Sequence, residues 1–450
     1  MGKSCPMKGV LITTGQDIAF LTFTCQRSKV TPVKRGWKIV IRALASLLIA
    51  LVAFTALALN WLGLGINELK LLPALPNLLG CTQPQRYFVA FTSSSEARAL
   101  GGLIGQYAVV ETDCTSLKVL DVGTNLQLKD SNVFLQAQKK YPDIFLGKNT
   151  EWVNSNLFPD GQLIGSMWLE AYYKQSGQQL DGAIAVDLPL LVDMAVLSGF
   201  SFENKTGDLL SNRSDILNYL LNGIYFDYPL DNLKRKAIQL DLSRQMVNSF
   251  SQIASNKKEV LQLFARTISE NRIFIYKPGI SDSGLYRENS LFYNLDSPSD
   301  LLFVGANNLS GSKFDFYNSF DYQLTRCKDD SFQFTIDINN TASPGNNFPD
   351  YVNRRLEDNP TKGAGTLTQV LAILPRGSSI PTWKGPSDWS AETLELGDGR
   401  IVVTLVGTVQ AGRSYNNSFF LQGPRSLKLL TWGQKIRPHA SSMRCELPIK

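Results

Sequence analysis

The segment Glu96 to Tyr107, EARALGGLIGQY, joins an acidic and a basic side chain to a glycine pair and a third glycine. Paired glycines let a backbone approach another group closely, and an arginine beside exposed amides can hold a phosphate or carboxylate. The same residues also suit a tight strand entry closed by an Arg–Glu ion pair, and on pattern alone that plainer reading is the stronger. Histidine chemistry is almost absent. His439 is the single histidine, so a Ser-His-Asp or Cys-His arrangement would have to use it, and ordinary His-based zinc sites drop out as well. No P-loop, EF-hand or Cys-x-x-Cys spacing occurs. Chemistry in this chain must therefore run on carboxylates, arginines, lysines, amides or a magnesium-like ion.

The elements that would position such groups can be read from apolar spacing. RYFVAF from Arg86, GGLIGQYAVV from Gly101 and SLKVLDV from Ser116 are short β-rich runs bounded by turn residues. Leu163 to Gly177 has helical spacing and stops on glycine; GAIAVD, ending at Asp187, reads as a buried strand, and LPLLVDMAVLSG as a helix. This alternation predicts an α/β layer over residues 86–312. Within it a helix is expected from Asp231 to Ala254, with Leu233, Ala237, Leu240, Met246, Phe250 and Ile253 on its core stripe. A second helix should open with Asn256 and Glu259 at capping-box spacing, followed by the strand RIFIY. Beyond about Lys313, period-two alternation in FDFYNSFDYQLTRC, SFQFTIDINNT, GTLTQVLAILP and RIVVTLVGTVQAG predicts a β-sandwich-like domain over 313–424, then a tail over 425–450.

Ahead of this body, Ala43 to Asn67 contains no Asp, Glu, Lys, Arg or His. At about 1.5 Å per helical residue, such a run is long enough to cross a bilayer. Eight of the 45 Lys and Arg precede it and only Asp17 opposes them, so the positive-inside rule predicts an uncleaved signal anchor over 39–67, a cytoplasmic basic tail over 1–38 and an extracytoplasmic body. A linker over 68–85, with Pro73, Pro76 and Pro84, keeps that body close to the membrane. The remainder holds 37 basic against 38 acidic residues, which argues against nucleic acid as a partner. Outside the membrane, Cys81, Cys114, Cys327 and Cys445 allow three pairings; keeping each bridge within one subdomain favours Cys81 with Cys114 and Cys327 with Cys445.

EARALGGLIGQY, NTEWVNSNLFPDG from Asn149, the run from Gly177 to Asp187 and NNLSGSKFDFY from Asn307 together resemble the bacterial envelope family known as domain-of-unknown-function 4012, over roughly Arg86 to Gln422. A more distant likeness is to the LytR-CpsA-Psr proteins, which attach polyprenyl-diphosphate-linked glycopolymers to the cell wall. That likeness implies a phosphate-binding role for Arg98, with Gly101, Gly102, Lys148 and Asn149 around it, and catalytic roles for Asp187 and Lys148. Asp187 would also be the carboxylate for a magnesium ion if the protein is catalytic. Where the family stretch carries acidic and basic residues, this chain has Asn154 and Asn156. The reading drawn from both likenesses is a membrane-anchored envelope module that binds a cell-wall or polyprenyl-linked glycan, or an envelope protein. Its alternative is a phosphotransferase of the LytR-CpsA-Psr kind.

Overall fold

The computed structural model describes residues 74–114, 116–128, 152–250, 259, 262–263, 266–268, 270–280, 300–327, 331–353, 364–424 and 427–431. They form a mixed α/β structure with several sheets, mostly β. The first sheet contains β1 (Gln85–Ala97), β2 (Gly102–Thr112), β3 (Leu117–Thr124), β4 (Gly182–Asp187) and β7 (Ile273–Tyr276), in the order β3-β2-β1-β4-β7. β1 and β4 are parallel, with Thr92 opposite Asp187 at the end of the shared ladder; the other pairs are antiparallel. Bulges after Phe91 and after Ser93 release β1 from strict register before it turns into β2.

Helix α1 (Gly161–Ser176) starts where the Asp160 carboxylate accepts the Leu163 N–H and stops at Gly177, whose φ of 70° is the left-handed conformation glycine adopts without strain. Its Met167, Trp168, Ala171 and Tyr172 bury against Phe88 and Tyr107 of the sheet. Gly165 lets the helix come so close to β7 that an added Cβ would lie 2.2 Å from Cβ of Tyr276. Helix α2 (Leu188–Leu197) is capped by Asp187, which accepts the Leu190 N–H at 2.9 Å. The hairpin β5 (Phe202–Glu203) and β6 (Leu209–Leu210) follows, then α3 (Arg213–Asn218), α4 (Ile224–Asp227) and α5 (Asn232–Ser249).

The expected stripe of α5 holds at its end, where Met246 and Phe250 are buried, and is displaced in its first turns. Arg235, Leu242, Ser243 and Met246 are buried, whereas Leu233 is 74% exposed and Ala237 is exposed. Residues 231–234 at the start of the helix are all exposed, so Leu233 has no core to enter. Most of the following predicted helix from Asn256 lies outside the described residues, as does the apolar run Ala43 to Asn67. Among the described residues no helix is long and apolar enough to cross a membrane.

The rest of the chain builds two further sheets. One has the order β12-β15-β10-β9, from β9 (Asn318–Arg326), β10 (Phe332–Asn340), β12 (Thr382–Lys384) and β15 (Ser414–Leu421). The other has the order β13-β14-β11-β8-β16, from β8 (Leu301–Asn308), β11 (Gly365–Leu374), β13 (Ser390–Glu395), β14 (Ile401–Gln410) and β16 (Lys428–Thr431). They share one core, in which Phe334, Ile336 and Ile338 of β10 meet Val304, Val370 and Leu405.

The inner sheet is covered on its other face too. Phe303, Leu371, Ile373 and Val402 belong to the core of the α/β layer, together with Phe88, Trp152 and Trp168. Alternate residues of β8 and β11 therefore enter two different cores, which is why GTLTQVLAIL reads as an almost continuous apolar run. β8 lies ahead of Lys313, so the second, sheet-rich part takes a central strand from the stretch that sequence alternation grouped with the α/β layer.

Candidate functional site

Four separated segments meet in a buried polar junction: the β1–β2 turn, the 3-10 turn Trp152–Leu157, the end of β8 and the 3-10 turn Phe314–Tyr317. Arg98, 4% exposed, donates to Glu96 Oε1 at 2.7 Å, Asn154 Oδ1 at 2.9 Å, the Ala97 carbonyl at 2.9 Å and the Asn308 carbonyl at 3.4 Å. The second oxygen of Glu96 accepts from buried Lys313. Burial opposes the Lys313 charge, but Glu96 holds its pKa above the ordinary lysine value. Asp315 accepts from the Ala97 N–H at 2.8 Å, Asn308 at 2.7 Å and Asn318 at 2.8 Å. Burial raises its pKa to about 6 even though these three donors favour the charged form.

The glycine pair closes this turn. Gly101 has φ of 96°, and a Cβ on Gly102 would lie 2.1 Å from the Ser93 carbonyl oxygen. Asn156 donates to the carbonyls of Gly102 at 2.7 Å and Leu100 at 3.0 Å. Asn307 accepts the Ala99 N–H at 2.7 Å, and Gly305 packs so that a Cβ would come within 2.7 Å of the Ala99 backbone. Arg98, Gly101 and Gly102 are thus buried in the contact between the layers, with both Nη groups of Arg98 donating to protein acceptors. Three of the four motifs meet here.

Asp187 does not join them through its side chain. Its carboxylate is 5% exposed and is held by Arg272, with Nη2 to Oδ1 at 2.8 Å and Nε to Oδ2 at 2.5 Å. Burial pushes its pKa up, while Arg272 and the Leu190 N–H pull it down. A guanidinium occupies both oxygens that a magnesium ion would need, and among the described residues no group of three or more His, Cys, Asp or Glu side chains can hold a metal. The residues in view therefore do not fit a metal centre at Asp187. Lys148 and Asn149 lie outside the described residues. Cys81 and Cys114 form a disulfide; Cys327 is also disulfide-bonded, and its expected partner, Cys445, lies outside the described residues.

Beside the junction, a small pocket of about 60 Å³ opens where β1 and β2 meet α2, α5, Lys313 and Tyr351. Thr92, Ser93 and Leu188 bring to it the carboxyl ends of the parallel ladder between β1 and β4, the place where open α/β sheets commonly receive ligands. Its lining contains Arg235, Lys236 and Lys313 and no aspartate or glutamate. Arg235 is 2% exposed, with Nη1 donating to the carbonyls of Tyr228 and Pro229 and Nη2 to Asn232 Oδ1. Its guanidinium lies 4.3 Å from the ring centre of Tyr351 and 5.5 Å from that of Tyr225, and the two rings stack at 5.4 Å. Its buried Nε has no hydrogen-bond partner. Amides of Asn232, Gln239 and Gln106 complete the polar lining, and burial raises the Tyr225 pKa, keeping its phenol protonated. Cations and amides in so small a space suit an anionic group, such as the phosphate or carboxylate of a larger ligand.

Residues 82–225 match the family model described as protein of unknown function, DUF4012. This part of the chain belongs to the DUF4012 family. The match covers β1 to β4, the motifs at Glu96, Asn149 and Gly177, and Tyr225; it ends before α5 and before NNLSGSKFDFY. The DUF4012 segment thus supplies one wall of the pocket, while Arg235, Lys236, Lys313 and Tyr351 come from the chain beyond it. No curated protein and no solved structure is detectably similar to the chain. Sequence reasoning missed all four of these residues. The signal available for two of them was the basic run Lys234–Arg235–Lys236 inside a helix otherwise read for its apolar stripe.

Proposed function

We propose that the protein is a membrane-anchored extracytoplasmic module of cell-wall assembly that binds an anionic glycan in the pocket between β1, β2 and α5. The observation that carries this reading is the lining itself: Arg235 and Lys236, with Lys313 paired to Glu96 at its edge, no carboxylate in the lining, two stacked tyrosines and several amides in one pocket. The Cys81–Cys114 bridge supports the extracytoplasmic placement, since disulfides persist in oxidising compartments. The buried state of Arg98 supports binding elsewhere than at the glycine pair, because its Nη donors serve the junction.

The test is titration of the full-length protein in detergent with a phosphate-bearing wall oligosaccharide and with the same oligosaccharide after dephosphorylation. The phosphorylated form is expected to bind more tightly, and Lys236→Gln to weaken it by about 3- to 10-fold, the range of a charge-assisted hydrogen bond shared with solvent. Equal affinity for both forms, or no effect of the substitution, would remove the pocket from the proposal. A second reading, the LytR-CpsA-Psr-like transferase, draws on the same cations, since phosphoryl transfer needs positive charge on non-bridging oxygens. Formation of a glycan-transfer product by the wild-type protein, lost in Lys236→Gln, would favour it.

A further inference from the structure

We infer that the pocket selects a phosphomonoester and reads its terminal phosphate with one edge of the Arg235 guanidinium. The other end of that guanidinium is engaged by the protein. Nη1 donates to the carbonyls of Tyr228 and Pro229, and the ring centres of Tyr351 and Tyr225 lie 4.3 and 5.5 Å away. The side edge remains: Nε is buried without a hydrogen-bond partner, and Nη2 makes one contact of 3.4 Å, to Asn232 Oδ1. Nε and Nη2 together form a planar fork of the kind that grips two oxygens of a phosphate or carboxylate. A buried donor left unpaired on a cation is costly, which favours a ligand that brings an acceptor to this edge.

The residues on the sheet side decide between the acceptors. Gln106 of β2 accepts from Ser243 through Oε1, which leaves its amide nitrogen as a donor in the lining. Ser93 of β1 adds a hydroxyl, 3.0 Å from Ser95 Oγ. Donors therefore stand on the sheet side as well as on the helix. A carboxylate held by the fork has both its oxygens in the grip, and a phosphodiester has both its non-bridging ones there. A terminal phosphate keeps a third oxygen for Gln106 and Ser93. Charge points the same way, because Lys236 follows Arg235 in a lining without aspartate or glutamate, and a monoester carries more negative charge than a diester or a carboxylate. Lys313, held by Glu96, takes no part in the grip.

This inference rests on the reading of the pocket as an anion site, and its test keeps the two apart. The full-length protein in detergent is titrated by calorimetry with methyl phosphate, dimethyl phosphate and acetate in turn. Methyl phosphate is expected to bind at least about 10-fold more tightly than either of the others, the effect of one further charge-assisted hydrogen bond. Equal binding of all three overturns the inference and leaves an anion site standing; binding of none overturns both. Glucose 1-phosphate and a short-chain phosphatidic acid, both monoesters, then distinguish the source, since the tighter of the two shows whether a sugar or a lipid carries the phosphate. Arg235→Lys, which keeps the charge and loses the fork, should bring methyl phosphate down to the level of dimethyl phosphate, and an unchanged preference removes Arg235 from the proposal. Should that variant not fold, a crystal structure of the wild-type protein with methyl phosphate decides: a phosphate oxygen within hydrogen-bond reach of Arg235 Nε is expected, and a phosphate bound out of its reach overturns the assignment.

Discussion

The junction around Glu96 and the pocket beside it are made of similar residue types and differ in how their charges are answered. At the junction Arg98 and Lys313 share the two oxygens of one buried glutamate, and the remaining Nη contacts go to an amide and to carbonyls. In the pocket Arg235 is held by carbonyls, an amide oxygen and two tyrosine rings, with no carboxylate in the lining. A cation paired with a buried carboxylate is costly to unpair, whereas one held by neutral groups keeps its field for a ligand. Lys313 stands on the boundary, paired with Glu96 and lining the pocket.

If this contrast is right, substitutions on the two sides should fail in different assays. The largest effect is expected from Glu96→Ala, which leaves two buried cations without their shared carboxylate. It should cost about 3–5 kcal/mol in urea denaturation, and a loss below about 1 kcal/mol would show that the junction is not a structural centre. Next comes Asp315. Its folded-state pKa of about 6 lies above the ordinary value of 3.8, so the folded state binds the proton more tightly. The stability from this group is full below the unfolded value and is lost as pH rises through about 6, amounting to roughly 1–3 kcal/mol. Unfolding curves across that window should fall with pH in the wild type and be flatter in Asp315→Asn. Gly305→Ala, whose methyl would press on the Ala99 backbone, should cost about 1–3 kcal/mol. Lys236→Gln is expected to be the mildest in this assay, within about 0.5 kcal/mol of wild type, although it is the variant that should weaken ligand binding.

Much of the fold could be read from the sequence because its signals are local. Gly177 stops α1, β10 alternates residue by residue, and the strand runs at Arg86, Gly101, Ser116 and Gly182 all pair in one sheet. What escaped is non-local. The Arg98–Glu96 pair closes the glycine-bearing turn as the plainer reading of the segment has it, but nothing around Arg98 announces that Asn308 and Lys313, some two hundred residues later, complete its surroundings. Leu233 is exposed where helical periodicity placed it in the core, and Arg235 is buried in its stead, held by the Tyr228 and Pro229 carbonyls and the Tyr351 ring. Charges were legible as residues; their partners were set by topology.

The inner sheet, buried on both faces, has a consequence for how such a chain can be made. A chain synthesised from its N-terminus delivers β1 and the Glu96 turn long before β8 and β11, which cover them. Until Asn308, Lys313 and Asp315 emerge, the earlier segment holds a buried-type arginine and glutamate without their later neighbours and an apolar face without its lid. Contacts of such sequence separation make folding slow and leave intermediates prone to aggregation. Until the last strands arrive, the face of the first sheet that Phe303, Leu371, Ile373 and Val402 cover has nothing to pack against.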